Sequence, residues 1–359
     1  MTQIAHPHGG AKERPLRAGV VGLGMMGRNH VRVWDESVEG VELVGVADPD
    51  AAAVTRAMSG RRARGYQDPE RMFAEEELDL VSIVAPTSLH LPVTLAALRA
   101  GANVLVEKPI AATREEATTM IEAAADAGRM LTVGHIERFN PAVRELHRRL
   151  EAGELGRIFQ ISATRLGPFP ARIRDVGVVV DLAPHDLDVM RYLVGSEPVR
   201  IYAETERRIH TEHEDLFNGI IKFENGVVGI LNINWLTATK RRTLTVTGER
   251  GFYVADYIAQ NLIFYANPDA DQTWENRGAD TFGGPITSVA EGEMTRRSIR
   301  RAEPLTVELG EFARAVRDGG PPPVDPHDAM VALLLARKMV ESALTGQAIA
   351  GAALLEVVA

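Results

Sequence analysis

Apolar positions between residues 16 and 134 fall into short unbroken runs separated by segments of helical periodicity. Runs at 17–22, 41–47, 80–85, 104–107 and 130–134 read as buried strands, and 25–36, about 51–58 and 91–100 as helices. Thr113 opens a further helix, with Glu116 three residues on in a capping-box pattern. Strands alternating with helices of this length predict parallel βαβ units with right-handed crossovers. The texture changes after Asn140-Pro141. A helix over 142–151, the segment 156–166 and a helix around 186–194, its start set near Pro184, precede β-rich runs at 199–207, 215–223, 227–235, 242–247 and 251–257. Turns such as Glu224-Asn225-Gly226 separate these runs, as in antiparallel hairpins. Residues 266–301 are weakly patterned and read as a long loop or insertion. Helices at 305–317 and 328–345 flank Pro321-Pro322-Pro323. The expected fold class is α/β. A doubly wound parallel sheet fills 15–140, and an α+β domain with a large open, mainly antiparallel sheet fills 141–359. The two C-terminal helices are free in this reading to pack back on the first domain.

A chain of 359 residues, 45% hydrophobic and 25% charged, suits an ordinary globular protein of two domains. The net charge of -9 argues against nucleic acid as a partner, because phosphate backbones select a basic face. Cysteine is absent, which excludes disulfides and thiolate metal sites. Residues 1–14 read as a loose polar tail without the apolar core of a signal peptide. No run reaches the roughly 18 apolar residues that span a bilayer. A cytoplasmic protein without a membrane partner is expected. Arginine supplies nearly all the positive charge, so lone arginines say little and the scarce lysines say more.

Candidate chemistry begins at Gly22-Leu23-Gly24-Met25-Met26-Gly27, which follows a predicted strand and opens a predicted helix. That context is the one the Rossmann dinucleotide fingerprint requires. Gly22 would permit the tight turn, Gly24 the approach of a pyrophosphate and Gly27 the packing of helix on strand, with Met25 and Met26 at the helix N-terminus. Asp48 ends the second strand at the expected spacing, about 20 residues on. A carboxylate there accepts from the ribose hydroxyls and repels a 2′-phosphate, so NAD is expected over NADP. Pro86, Thr87 and His90 follow the third strand, where an open parallel sheet places its ligands. His90 is open to a second reading, as a cap or solvated start of the next helix. Glu107-Lys108-Pro109 ends the following strand at the same groove. A partly buried lysine beside a cationic nicotinamide would be driven towards its neutral form. It could then meet a substrate hydroxyl, or else pair structurally with Glu107. Asp181 and His185 share a face if their segment is helical, giving an imidazole tuned by a carboxylate, with Asp188 a second candidate partner. A zinc reading of His185 with Asp181 or Asp188 lacks further clustered ligands, so no metal is expected.

Together, Gly22–Gly27, Asp48, Pro86-Thr87 with His90, Glu107-Lys108-Pro109 and Asp181-x-x-x-His185 resemble the Gfo/Idh/MocA dehydrogenases over roughly 16–345. The resemblance implies a Rossmann domain, then an open α/β domain whose sheet commonly joins subunits into dimers or tetramers. It also implies Lys108, Asp181 and His185 as the catalytic set. The stretches 133–141 and 167–188 look like UDP-N-acetylglucosamine 3-dehydrogenases. This narrower likeness implies oxidation of a sugar 3-hydroxyl, with Arg138, Asn140, Arg165 and Arg172 as contacts to sugar or diphosphate. Departures occur at Ile136, where many members carry Asn, and at Asp175-Val176-Gly177-Val178 in place of a Gly-rich run. Two alternatives stay open: an inositol or free-sugar dehydrogenase, and a non-catalytic NAD-binding regulator on the same fold.

Overall fold

Segments apolar on both faces build one sheet of this protein, and segments that alternate build another. The computed structural model describes residues 14–170, 176–210, 212–267, 292–351 and 353–354. Arg172 and most of 266–301 lie outside the described residues. The chain divides into two compact units, one of Met1–Glu107, Thr119–Thr132 and Leu309–Pro323, the other of Lys108–Thr118, Val133–Glu308 and Val324–Ala359.

The first half runs β1 (Leu16–Val21), α1 (Met25–Glu36), β2 (Val41–Ala47), α2 (Ala51–Met58), β3 (Arg64–Tyr66), α3 (Pro69–Glu75), β4 (Leu80–Ile83), α4 (His90–Arg99), β5 (Asn103–Glu107), α5 (Arg114–Asp126) and β6 (Leu131–Gly134). Its six-stranded sheet has the order β3-β2-β1-β4-β5-β6. Every residue of β4 is buried, as are four of the six in β1, because helices cover both faces of a parallel sheet. β3 and α3 were not in the expected pattern. β3 has only three residues, too few to show a period, and α3 is announced only by Asp68-Pro69. The expected capping box forms in a shifted version. Glu116 N–H donates to Thr113 Oγ1 at 3.2 Å, while the Glu116 carboxylate accepts from Ala112 N–H rather than from Thr113.

The remainder runs α6 (Pro141–Glu151), β7 (Ile158–Leu166), α7 (Val178–Val194), β8 (Pro198–Glu206), β9 (Leu216–Phe223), β10 (Val228–Asn234), β11 (Arg241–Gly248), β12 (Gly251–Asp256), β13 (Asn261–Ala266), β14 (Met294–Arg297), α8 (Pro304–Asp318), α9 (Pro326–Thr345) and β15 (Ile349–Ala350). The nine strands order as β14-β13-β12-β11-β7-β10-β9-β8-β15. β7 and β10 pair in parallel, and the other described pairs are antiparallel. Burial alternates along β9 and β10, the signature of a sheet covered on one face. Phe217, Leu231, Leu244 and Tyr253 point into that covered face, in a core shared with Val189, Leu335 and Met339 of α7 and α9. Three helices start with an Asx-Pro step: Asp68, Asn140 and Asp325 each accept a main-chain N–H while the following proline fills the first helical position.

α7 departs from expectation. It begins at Val178 and runs through Pro184 instead of starting near it. Glu214 explains the early start. Its carbonyl accepts Val178 N–H at 2.9 Å and its Oε1 accepts Val179 N–H at 3.1 Å, so a residue remote in sequence caps the helix. Gly177 leaves room for it, since a Cβ there would lie 2.0 Å from the Glu214 carboxylate.

Candidate functional site

The first unit builds a cradle from its glycines. Gly22 has φ of 90°, and a Cβ on it would lie 2.6 Å from the Val84 main chain. Gly27 is equally constrained, with its Cβ position 1.8 Å from the Gly22 carbonyl oxygen. Gly24 is the opposite case. Nothing lies within 4 Å of its Cβ position, and it caps α1 without any side-chain bond. A helix N-terminus with bare amides and an approachable backbone is what a pyrophosphate needs. Met25 beside it is 58% exposed, and Met26 is half-buried.

Asp48 follows β2. Its Oδ2 accepts Leu23 N–H at 2.7 Å and its Oδ1 accepts Asp50 N–H at 2.9 Å, which fixes the carboxylate. Each oxygen retains a lone pair for a ribose hydroxyl. A cavity of about 860 Å³ opens along this edge, with Gly22, Gly24, Asp48, Pro86 and Leu89 in its wall. Gln67, Asp68 and Glu70 complete the wall from the β3–α3 connection, and the sequence reading missed them along with those elements. Thr87 opens a 3₁₀ turn, Thr87–Leu89. His90 is 1% exposed, and its Nε2 donates to the Ala85 carbonyl at 3.0 Å, so it shapes this loop from behind. Glu107 Oε1 lies 3.0 Å from Nε2 of His30, a fully buried residue of α1.

The second unit gathers the proton-handling candidates. Lys108 donates through Nζ to the Asp181 carbonyl at 2.9 Å and to Asp181 Oδ1 at 3.1 Å. Pro184 lacks the amide that would bond Val180, so the helix is open one residue from the carbonyl that Lys108 takes. Asp181, His185 and Asp188 recur at helical spacing along one face of α7. His185 is partly buried, and its Nδ1 has no hydrogen-bond partner among the described residues. Burial above all, then the charges of Lys108 and Arg165, hold this imidazole well below its ordinary pKa. At neutral pH it is an uncharged base.

Arg138, Asn140 and Arg165, expected against sugar or diphosphate, direct hydrogen bonds to groups inside the unit. Arg138 forks onto Asp188 at 2.8 and 2.6 Å and reaches Asp328 at 2.9 Å. Arg165 forks onto Asp186 at 2.7 and 3.0 Å and donates to Glu137 at 3.0 Å. Asn140 accepts Ala142 N–H and donates to the Tyr257 carbonyl. Burial alone would raise the Asp188 carboxyl, but His135 and Arg138 outweigh it and hold the group below the usual range. Arg242 was missed in the sequence. It stands opposite Arg165 in the β7–β11 register, 37% exposed, with Nη1 3.6 Å from Glu137 Oε1. Its signal was parity: it alternates in phase with Leu244 and Val246, a cation on an apolar face.

Residues 16–135 match the family model described as the oxidoreductase family with an NAD-binding Rossmann fold, and residues 143–254 match the GFO/IDH/MocA C-terminal domain. A UDP-N-acetylglucosamine 3-dehydrogenase of Acidithiobacillus ferrooxidans is 30% identical over 84% of this chain and 88% of its own length. Inositol 2-dehydrogenase 2 of Saccharopolyspora erythraea is 33% identical over 59% of this chain and 65% of its own. A solved structure of the Acidithiobacillus enzyme superposes with a TM-score of 0.79 at 27% identity, covering 92% of this chain and 98% of that one.

Proposed function

The chain belongs to the Gfo/Idh/MocA family of NAD-binding oxidoreductases, and from that premise we propose that it is an NAD-dependent dehydrogenase of a secondary sugar hydroxyl, with the 3-hydroxyl of a UDP-N-acetylamino sugar as substrate. The observation that carries this reading is an imidazole kept uncharged on the same helical face as the carboxylate that holds Lys108. NAD, when bound, supplies the hydride acceptor. Gly22, Gly24 and Gly27 would hold its pyrophosphate and Asp48 its ribose, with Pro86 and Thr87 along the groove.

His185 takes the proton of the substrate hydroxyl as the hydride leaves the same carbinol carbon, and the product is a ketone. Lys108 lends N–H to the reacting oxygen and steadies the negative charge that grows there. Asp181 orients Lys108 through two acceptors on one residue. These groups cannot be exchanged freely. A protonated His185 has no lone pair for the hydroxyl, and a Lys108 without Asp181 has no fixed direction.

A neutral polyol is the second substrate reading, supported by the likeness to an inositol 2-dehydrogenase. A regulator that binds NAD without turnover is the reading from another class, and the presence of both Lys108 and His185 weighs against it. The test is NADH formation with UDP-N-acetylglucosamine, myo-inositol and free glucose. Turnover of the nucleotide sugar well above the others supports the proposal; turnover of inositol alone replaces the substrate. NAD binding without turnover of any of them selects the regulator. Self-association through the open face of the nine-stranded sheet belongs to the same proposal, because Ile220 stands 52% exposed on it between neighbouring strands.

A further inference from the structure

Three arginines of the second unit were set by sequence or structure near the proposed chemistry, and two of them are each held by hydrogen bonds to two carboxylates. Arg138 and Arg165 each place a fork on a buried carboxylate. Arg242 does not. Its contact with Glu137 Oε1, at 3.6 Å, is beyond hydrogen-bond distance, and that oxygen already accepts from Arg165 at 3.0 Å. Among the described residues no side-chain hydrogen bond of Arg242 is made, although a guanidinium carries five N–H donors.

The environment makes that state costly. Burial, and then the like charge of Arg165, pull the Arg242 pKa down from its ordinary value. The part of the guanidinium that is withdrawn from water without a hydrogen-bond acceptor loses hydration it does not recover. A carboxylate or phosphate would supply both the charge and the paired acceptors that fit the fork.

The position says whose anion it would be. Arg242 projects from the same face of β11 as Leu244 and Val246, which lie in the core that also holds Leu187 and Val189 of α7. Its strand neighbour Arg165 is forked onto Asp186, the residue next to His185. With 37% of its side chain still exposed, Arg242 is reachable from outside.

We propose that Arg242 is the anion-recognition residue of the substrate site, taking in its fork an anionic group of the sugar whose hydroxyl is oxidised: the diphosphate of a nucleotide sugar or the carboxylate of a sugar acid. This rests on the dehydrogenase reading above and sharpens it. A site with such a fork selects charged sugars over neutral polyols, because a neutral ligand leaves the guanidinium with no more than its 3.6 Å approach to Glu137.

Binding to the NADH-loaded enzyme, read by dihydronicotinamide fluorescence, tests this without needing turnover. UDP-N-acetylglucosamine, D-glucuronate and myo-inositol are titrated into wild type, Arg242→Gln and Arg242→Lys. Arg242→Gln is expected to weaken one anionic ligand about ten- to hundredfold more than it weakens myo-inositol, with Arg242→Lys intermediate, since a hydrogen bond to a charged group is worth about that much. A selective loss for UDP-N-acetylglucosamine identifies the diphosphate, and one for glucuronate the carboxylate. An equal effect on charged and neutral ligands overturns the proposal, as does wild type binding myo-inositol better than either anion. NADH formation from a neutral sugar alcohol in that last case would leave the dehydrogenase reading standing. Failure of wild type to reduce NAD with any sugar alcohol would remove that reading whatever the titrations show.

Discussion

An uncharged imidazole beside an ammonium group is prepared to receive a proton, and the price is that it holds one poorly. His185 keeps its base form as pH falls, because both its burial and the charge of Lys108 oppose protonation. The acid limb of kcat/KM is therefore expected below the ordinary imidazole value of about 6.5. In Lys108→Met the second of those causes is gone, so the limb should move up towards that value while kcat falls. A limb that stays in place, or moves down, would show that Lys108 does not sense His185. Asp48 offers an independent check. Asp48→Asn keeps an acceptor for Leu23 N–H but loses the charge, so the preference for NAD over NADP should fall by about tenfold or more, the scale of one charge contact. Equal preference ratios in mutant and wild type would remove Asp48 from cofactor choice. The glycines, Asp48, Lys108, Asp181 and His185 could be singled out in the sequence because local backbone pattern or spacing marks them, and the roles proposed for them start from those marks. The arginines were not. Whether Arg138 meets a ligand or a carboxylate is decided by Asp188, 50 residues away in the chain, and no local pattern records that pairing.

Helix α7 is the element on which the proposed chemistry depends, and its order comes from neighbours. Glu214 caps its first turn, which contains Asp181. Glu214→Ala should cost about 1 kcal/mol of stability, as for other lost caps, and should lower kcat more than Glu214→Gln, which keeps an acceptor for Val179 N–H. Indistinguishable kinetics in the two variants would sever the cap from the site. At the other end of the same face, Arg138 and Asp188 form a buried pair. Arg138→Ala leaves Asp188 without its fork, and a loss of about 3–5 kcal/mol is expected by denaturant unfolding. A loss below about 1 kcal/mol, the range of exposed pairs, would mean that water reaches Asp188 in solution. The proline rule placed the start of this helix too late for a physical reason. Pro184 forbids one backbone bond, but capping by Glu214 and burial of Val178 and Val179 outweigh that loss. Elements with a strong internal period, such as α1, or an unbroken apolar run, such as β2, were legible; β3 and α3 were too short to carry either.

At the scale of the molecule, two sheets of different character divide the work. The parallel sheet presents its glycine turn and Asp48 at the ends of β1 and β2. The nine-stranded sheet carries Arg165 and Arg242 side by side on its covered face and leaves its other face partly apolar. That division was visible in the sequence as strand runs alternating with helical segments giving way to β-rich runs separated by turns, while the parallel pairing of β7 with β10 was not, since nothing local distinguishes it. Among the described residues no helix is long and apolar enough to cross a membrane. Ile220→Asp places a charge on the open face, and sedimentation should then show a smaller species than wild type; a wild-type protein that is monomeric at all concentrations would remove the face as an interface. The most direct test of the account as a whole uses UDP-N-acetylglucosamine deuterated at C3, with NAD, followed by mass analysis of the recovered nicotinamide. Deuterium is expected in the reduced cofactor and a ketone in the sugar, with His185→Ala slowing the transfer by about 10²–10⁴-fold, the usual worth of a general base. Label that stays in the sugar while the cofactor binds, or transfer at the wild-type rate in His185→Ala, would contradict it.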